Sequence, residues 1–172
     1  MLNSRRVALI ILEIGLALLA VWSIYYWRTR ELLPDDGFTE APYFELQDLA
    51  GRTWTLDDFA NKPTVLYFFA PWCKVCKASA HQLRWFHRLF GDEINLVMVA
   101  LEYPGIEAIR DYRRIHQVEN LILLGDHAVA KNYRIPGYPT YYVLDAAGKI
   151  RRRDFGFSTV GGLWLRTCLP DR

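Results

Sequence analysis

The chain has 172 residues, 52% of them apolar and 23% charged, with three cysteines. This length allows one ordinary domain with an appendage and argues against two full domains. Three cysteines are too few for a small secreted scaffold held by disulfides, and no stretch is polar enough to predict long disorder. From Glu31 onward the chain has 17 basic and 18 acidic residues, which argues against a nucleic acid as a partner.

An apolar segment dominates the N-terminal end of the chain. Residues 7–27 carry a single charge, Glu13. As a helix rising about 1.5 Å per residue, they would cover the ~30 Å apolar layer of a bilayer. A cleaved signal peptide is the alternative, but the run is longer than a signal core and no convincing cleavage site follows it. We therefore expect a transmembrane helix over 7–27 in contact with lipid, and the charge asymmetry leans towards residues 1–6 being cytoplasmic.

The rest of the chain predicts one domain after a short connection. Residues 28–40 are charged, contain proline and glycine, and are interpreted as a linker, which leaves 41–172 as the domain. A hairpin near residues 43–55 comes first. Buried strands at 63–70, 95–101, 121–124, 140–144 and 150–155 then alternate with helices at 73–90, 106–116, 128–133 and 160–169. This order predicts an α/β domain whose mixed sheet is covered by helices on both faces.

The residues that carry chemistry are concentrated in Trp72-Cys73-Lys74-Val75-Cys76. The C-x-x-C pair follows a buried strand and opens a helix, whose free N–H groups and dipole stabilise a thiolate. We expect Cys73 to be exposed at the first turn, Cys76 to lie one turn deeper, and Lys74 to favour the thiolate further. This arrangement lets Cys73 attack a substrate sulfur and Cys76 resolve the mixed disulfide.

Three other interpretations of the pair involve no catalysis. Two buried core cysteines are compatible with this spacing, but Pro71 and Trp72 before them predict an exposed turn. A zinc knuckle needs a second Cys or His pair at matching spacing, and the sequence contains none. A fixed structural disulfide is compatible with the same spacing in any oxidising compartment. The strand–turn–helix context favours redox catalysis over all three.

A second element, residues 135–140, reads Ile-Pro-Gly-Tyr-Pro-Thr and precedes a strand, where a proline is ordinarily a breaker. Together with the strand end at 68–72 and the C-x-x-C pair, it makes the chain resemble the thioredoxin superfamily. The N-terminal anchor, the early hairpin and an extra β/α unit before the proline resemble the TlpA-like branch. The stretch 156–165 is similar to the membrane-anchored suppressor-of-copper-sensitivity D-type proteins of that branch.

The resemblance implies roles for individual residues. Cys73 would be the attacking thiol, Cys76 the resolving thiol and Pro139 a cis-proline. Trp72 and Tyr138 would contact substrate. The resemblance also implies a bacterial inner-membrane anchor with the domain in the periplasm, exchanging disulfides with exported proteins and recharged by a membrane electron-transfer partner. The family favours a reductant, whereas a lysine beside the thiolate with no carboxylate near it favours a more oxidising pair. The direction of electron flow therefore stays open.

Two positions depart from the family pattern. The buried acid of thioredoxin corresponds to Tyr67, and a glutamate of some TlpA-like proteins corresponds to Ser79, so the base that deprotonates Cys76 is not identified. The family's name also suggests copper, and Cys73, Cys76 and His81 are a candidate ligand set for Cu(I). Copper(I) binding or copper tolerance without redox turnover is the alternative function. The exchange reaction itself predicts no metal and no cofactor.

The third cysteine, Cys168, lies 92 residues after Cys76 on the final predicted helix. Beside Leu165 and Leu169, it is expected to be a small buried hydrophobic residue. An intermolecular thiol is the alternative.

Overall fold

The computed structural model describes residues 4–168, except for the side chains of residues 4–9, 25 and 28. The predicted segment 1–6 and the end of the predicted domain, 169–172, therefore lie partly or wholly outside the described residues. The chain divides into two compact units, and the boundary falls between Glu31 and Leu32. The first holds one helix, α1 (Ser4–Thr29), which continues past the predicted end of the apolar run. Over the described part of the chain, no helix combines the length and apolarity required to cross a membrane.

The second unit is built on one mixed sheet of seven strands. The strands are β1 (Glu45–Asp48), β2 (Thr53–Thr55), β3 (Thr64–Phe69), β4 (Asn95–Ala100), β5 (Leu121–Leu124), β6 (Thr140–Leu144) and β7 (Ile150–Phe155). Their order across the sheet is β2-β1-β5-β4-β3-β6-β7. Strands β3, β4 and β5 run parallel, and the other pairings are antiparallel. The predicted α/β class, mixed sheet and N-terminal hairpin are confirmed.

Helices cover both faces of this sheet. They are α2 (Lys74–Phe90), α3 (Ile106–Ile115), α4 (His127–Asn132) and α5 (Val160–Cys168), and a single 3-10 turn spans Leu56–Phe59. Strand β3 lies inside the sheet between β4 and β6 and is buried on both faces, as its unbroken apolar run requires. Tyr67 and Phe69 pack with α2, α3 and α5, whereas Leu66 and Phe68 pack with α4 and the segment before β1. The carboxyl end of β3 therefore leads directly into α2 between two packed layers.

The segment expected to be a linker, residues 28–40, is partly helix and partly core. Its first residues complete α1, and Leu32 and Leu33 are 1% and 8% exposed. The Leu33 N–H donates to the Tyr142 hydroxyl at 3.2 Å. Arg153 donates to the carbonyl oxygens of Leu32 and Leu33 at 2.6 and 2.9 Å. A charged composition suggested a linker, but the two leucines belong to the domain because its core has room for them beside β6 and β7.

We expect Arg153→Ala to lower the free energy of unfolding by about 2 kcal/mol. The substitution removes two charge-assisted hydrogen bonds and leaves two largely buried carbonyl oxygens without that donor. Urea denaturation of the full chain measures the change. The control is Arg114→Ala, whose exposed pair with Asp111 contributes less than about 0.5 kcal/mol. Equal losses from both variants would contradict the structural role given to Arg153.

Candidate functional site

The cysteine pair lies at the start of α2, in the segment that follows β3. After β3, Cys73 is the N-cap of α2 in an extended conformation, and its Sγ accepts the Cys76 backbone N–H at 3.1 Å. Cys73 and Cys76 form a disulfide with their Cα atoms 5.3 Å apart. The first turn of the helix thus directs a backbone N–H at the sulfur of the first cysteine, where it stabilises negative charge.

The expectation that Cys73 is exposed is wrong. Cys73 is 5% exposed and Cys76 is fully buried. Trp72 and Tyr138 are neighbours in an edge-to-face contact with ring centroids 5.7 Å apart, and the Cys73 Sγ lies 3.7 Å from the Tyr138 carbonyl oxygen. Apolar periodicity predicts that Cys73 lies at the start of the helix. It carries no information about Tyr138, which lies 65 residues later in the chain and places its carbonyl oxygen beside the sulfur.

That loop is held firmly beside the cysteines. The Tyr138–Pro139 peptide bond is cis, as the resemblance implies. The Thr140 hydroxyl donates to the Gly137 carbonyl at 2.8 Å, and the Gly156 N–H donates to the Pro139 carbonyl at 2.8 Å. The structure therefore brings together Cys73, Trp72, Tyr138 and the cis-proline loop, all of which the sequence singled out.

Glu102 is a part of the site that sequence reasoning missed. It lies just after β4 at a φ of +47°, an uncommon conformation for a residue with a side chain. Its carbonyl oxygen accepts the Trp72 indole N–H at 3.0 Å. Burial and the Glu102 carboxylate together raise the pKa of Tyr138, so its phenol stays neutral. Glu102 therefore interacts with both Trp72 and Tyr138, the two aromatic residues beside the cysteine pair. No local sequence motif predicts this role.

Tyr112 contacts the second cysteine, Cys76, and sequence reasoning missed this residue as well. Its hydroxyl donates to the Cys76 carbonyl oxygen at 2.9 Å, and its ring lies 4.7 Å from the Phe69 ring. Burial raises the pKa of Tyr112, which keeps the phenol protonated as a donor. Its place on the apolar face of α3 signals burial, but the bond made by its hydroxyl depends on α2 lying against α3.

The two positions that lack the family's acids are both buried. Burial raises the pKa of Tyr67, and the nearby Ser79 hydroxyl offsets part of that rise. Within residues 4–168 the Tyr67 hydroxyl has no hydrogen-bond partner, and the Ser79 hydroxyl donates to the Val75 carbonyl at 3.0 Å. A phenol that stays neutral cannot replace a carboxylate as a base at neutral pH.

The proposed copper ligands do not form a site. The Trp85 indole N–H donates to His81 Nε2 at 3.0 Å, and Arg84 lies 3.1 Å from His81 Nδ1. No group of three His, Cys, Asp or Glu side chains in the described part of the chain is placed to hold a metal ion. Lys74, expected to favour the thiolate, lies exposed at the first position of α2.

The expectation that Cys168 is buried is also wrong. It is a free, exposed cysteine at the last residue of α5. Of this helix only Leu163 is buried, and Leu165 remains half exposed. A short helix that buries one stripe leaves its last turn outside the core.

Comparison with known proteins adds the family. Residues 39–153 match the AhpC/TSA family. The chain is 27% identical over 142 residues to the thioredoxin-like protein YneN of Bacillus subtilis, which spans 80% of this chain and 82% of YneN. It is 29% identical over 105 residues to the thiol-disulfide oxidoreductase YkuV of Bacillus subtilis, which spans 57% of this chain and 70% of YkuV. A putative thiol:disulfide interchange protein DsbE from Chlorobium tepidum shares the fold, with a TM-score of 0.69 at 22% identity over 77% of this chain and 94% of that one.

These relatives fit the TlpA-like resemblance, while the likeness to suppressor-of-copper-sensitivity D-type proteins stays a prediction. The family match covers the sheet, the cysteine pair and the cis-proline loop, which are the parts from which the site is built. The chain therefore belongs to the AhpC/TSA family, as a thioredoxin-like thiol–disulfide oxidoreductase.

Proposed function

We propose that this protein is a membrane-anchored, periplasm-facing reductant that exchanges disulfides with exported proteins. The observation that carries the proposal is the Cys73–Cys76 disulfide at the start of α2, beside the Tyr138 carbonyl and the cis-proline loop. A pair closed at this point accepts and donates two electrons without a metal or cofactor.

The reduced protein starts the exchange with a thiolate at Cys73. This thiolate accepts the Cys76 backbone N–H that the sulfur already accepts in the disulfide, and the helix dipole favours its negative charge. The thiolate attacks one sulfur of a substrate disulfide, forming a Cys73–substrate bond as the substrate disulfide breaks. The second substrate sulfur leaves as a thiolate and takes a proton from solvent.

Cys76 completes the reaction. Its thiol loses a proton to solvent, attacks the Cys73 sulfur and releases the first substrate sulfur as a thiol. The protein is left with the Cys73–Cys76 disulfide and the substrate with two thiols, so two electrons have passed to the substrate. The hydrogen bond from Tyr112 to the Cys76 carbonyl fixes the backbone of the resolving residue at this step.

The reductant role also needs an electron source. A membrane electron-transfer partner of the thiol–disulfide system returns two electrons to the Cys73–Cys76 disulfide by the reverse sequence. The reductant direction is supported by the family resemblance.

The anchor is supported by the composition of α1. Residues 7–27 hold one charge, and large apolar side chains stand exposed along the helix, among them Ile11, Leu18, Leu19 and Trp22. Exposed apolar side chains on every side of a helix are stable in lipid and unfavourable in water. Arg5 and Arg6 before the run are matched by Arg28 and Arg30 after it, so the periplasmic placement of the second unit is supported by the family resemblance and not by the charges.

Thiol trapping in intact cells tests location and direction together. The full chain is labelled with a membrane-impermeant alkylating reagent, with Cys168→Ser in the background so that only the pair reports. We expect labelled, reduced Cys73 in normal cells and a loss of label in cells lacking the membrane electron donor. A pair that is unlabelled until the cells are lysed would contradict the periplasmic placement. A pair that is oxidised in both strains, and labelled only after loss of the oxidising system, would contradict the reductant role.

A further inference from the structure

An apolar groove of about 490 Å³ lies beside the cysteine pair, between the turn before α2 and the exposed side of α3. We call it the α3 groove, and its lining includes Pro71, Trp72, Pro104, Tyr112, Ile115 and His116, with the charged residues Lys77 and Asp111 among the remainder. Single exposed apolar residues are common on protein surfaces and need no explanation. Here, however, Trp72 at 56% exposure and Ile115 at 64% line the same concavity.

The α3 groove is continuous with the exchange site through two shared residues. Trp72 lines the groove and also contacts the ring of Tyr138, whose carbonyl oxygen lies 3.7 Å from the Cys73 sulfur. Tyr112 lines the groove and donates its hydroxyl to the Cys76 carbonyl. A polypeptide that contacts Trp72 while it presents a sulfur to Cys73 therefore lies next to this groove.

The walls of the α3 groove are fixed before anything binds. The Trp72 indole is held by the Glu102 carbonyl at 3.0 Å, and the Tyr112 ring is held between the Phe69 and His116 rings, each with a centroid 4.7 Å away. A preformed apolar wall loses little conformational entropy on binding. Burial and then Lys77 lower the pKa of His116, so its imidazole adds no charge to the groove at neutral pH.

We propose that the α3 groove is a substrate subsite that accepts an aromatic or large aliphatic side chain lying about two to four residues from the substrate cysteine. Extended chain rises about 3.3–3.6 Å per residue, so this spacing carries a peptide from the Cys73 sulfur across the Trp72 ring. A concavity of this size buries one bulky side chain, whereas a second copy of the chain would need about 800 Å² on each partner and would cover Trp72. The proposal rests on the exchange function and names its substrate class.

Synthetic peptides test the subsite directly. Each peptide holds one cysteine as a mixed disulfide with thionitrobenzoate. In one pair of peptides, either Trp or Ser lies three residues after the cysteine. In a second pair, either Trp or Ser lies three residues before it. The Cys73 thiolate of the reduced full chain, purified in mild detergent, attacks the peptide sulfur, and the breaking disulfide releases coloured thionitrobenzoate as the lower-pKa leaving group. Cys76 then attacks the Cys73 sulfur and releases the peptide as a thiol. We expect the second-order rate constant for a Trp peptide to exceed that of its Ser partner about tenfold, equivalent to about 1.4 kcal/mol.

The matched variants are Ile115→Asp and Leu89→Asp. Ile115 and Leu89 are 64% and 61% exposed, but only Ile115 lines the α3 groove. We expect Ile115→Asp to bring the Trp-to-Ser ratio close to one and Leu89→Asp to leave it near ten. Ile115→Ser repeats the test without a new charge at the end of α3.

The outcomes separate the subsite from the exchange reaction. Equal rates for both peptides with the unaltered chain, or a ratio that survives Ile115→Asp and Ile115→Ser, would overturn the subsite alone. Release from neither peptide would overturn the subsite together with the exchange reaction. A dimer in sedimentation that Ile115→Asp dissociates would assign the groove to a second copy and overturn the proposal.

Discussion

Cys76→Ser is expected to accumulate disulfide-linked complexes with cysteine-containing proteins, and Cys73→Ser is expected to accumulate none. In the first variant Cys73 still attacks the substrate disulfide, but the Cys76 sulfur that would attack the mixed disulfide and release the substrate is absent. In the second variant the attacking sulfur is absent, and the exchange rate falls by about a thousandfold or more, the scale seen when an enzyme loses its nucleophile. Non-reducing gels of the full chain, run with and without dithiothreitol, measure the complexes.

The exposed third cysteine makes a specific control necessary. Cys168 is a free thiol at the end of α5 and is able to form adventitious disulfides of its own. We expect complexes to persist in the double variant Cys76→Ser, Cys168→Ser. If they disappear there, the trapped partners were bound to Cys168, and the attacking role of Cys73 would be contradicted.

The burial of Cys73 restricts how these complexes form. Cys73 is 5% exposed, and the Tyr138 carbonyl oxygen lies 3.7 Å from its sulfur. An incoming sulfur therefore reaches Cys73 only over this small exposed surface, beside the cis-proline loop.

The elements of the domain could be predicted because their signals are local. An unbroken apolar run such as 63–70 is typical of a strand buried on both faces, and β3 occupies Thr64–Phe69. Apolar spacings of three and four predicted a helix over 73–90, and α2 spans Lys74–Phe90 with Cys73 as its cap. The cysteine pair was placed correctly for the same reason, since strand, turn and helix start are neighbours in the chain.

What could not be predicted depends on contacts between distant parts of the chain. The positive φ of Glu102 and the bond from its carbonyl to Trp72 join residues 30 apart, and Tyr112 reaches Cys76 across 36 residues. The exposure of Cys168 follows from how little of α5 the sheet buries. These features arise from tertiary packing, and residue patterns within one element carry no signal for them.

Buried tyrosines make the domain sensitive to alkali. Five of them are at most 3% exposed: Tyr67, Tyr112, Tyr133, Tyr141 and Tyr142. Burial raises the pKa of each, and that of Tyr142 to about 12. In the unfolded chain they ionise near pH 10, so above that pH the unfolded state binds fewer protons than the folded state and the free energy of unfolding falls as pH rises.

We expect this fall to unfold the domain between about pH 10 and pH 12. Each tyrosine contributes up to about 1.4 kcal/mol per pH unit once the pH is well above 10, so five contribute up to about 7 kcal/mol per unit against a typical total stability of 5–15 kcal/mol. Circular dichroism and near-ultraviolet tyrosinate absorbance, followed together, should show ionisation and unfolding as one cooperative step.

Tyr67→Phe isolates the contribution of one buried phenol to this step. The Tyr67 hydroxyl makes no hydrogen bond within the described residues, so the variant should keep its stability at neutral pH. Above pH 10 the slope of unfolding free energy against pH should be smaller by up to about 1.4 kcal/mol per pH unit, because one buried phenol has gone. Tyr43→Phe, at an exposed position, should leave the slope unchanged. If Tyr67 ionises near pH 10 while the domain stays folded, the phenol is hydrated, and the buried, neutral group assigned to the position of the family's acid would be wrong.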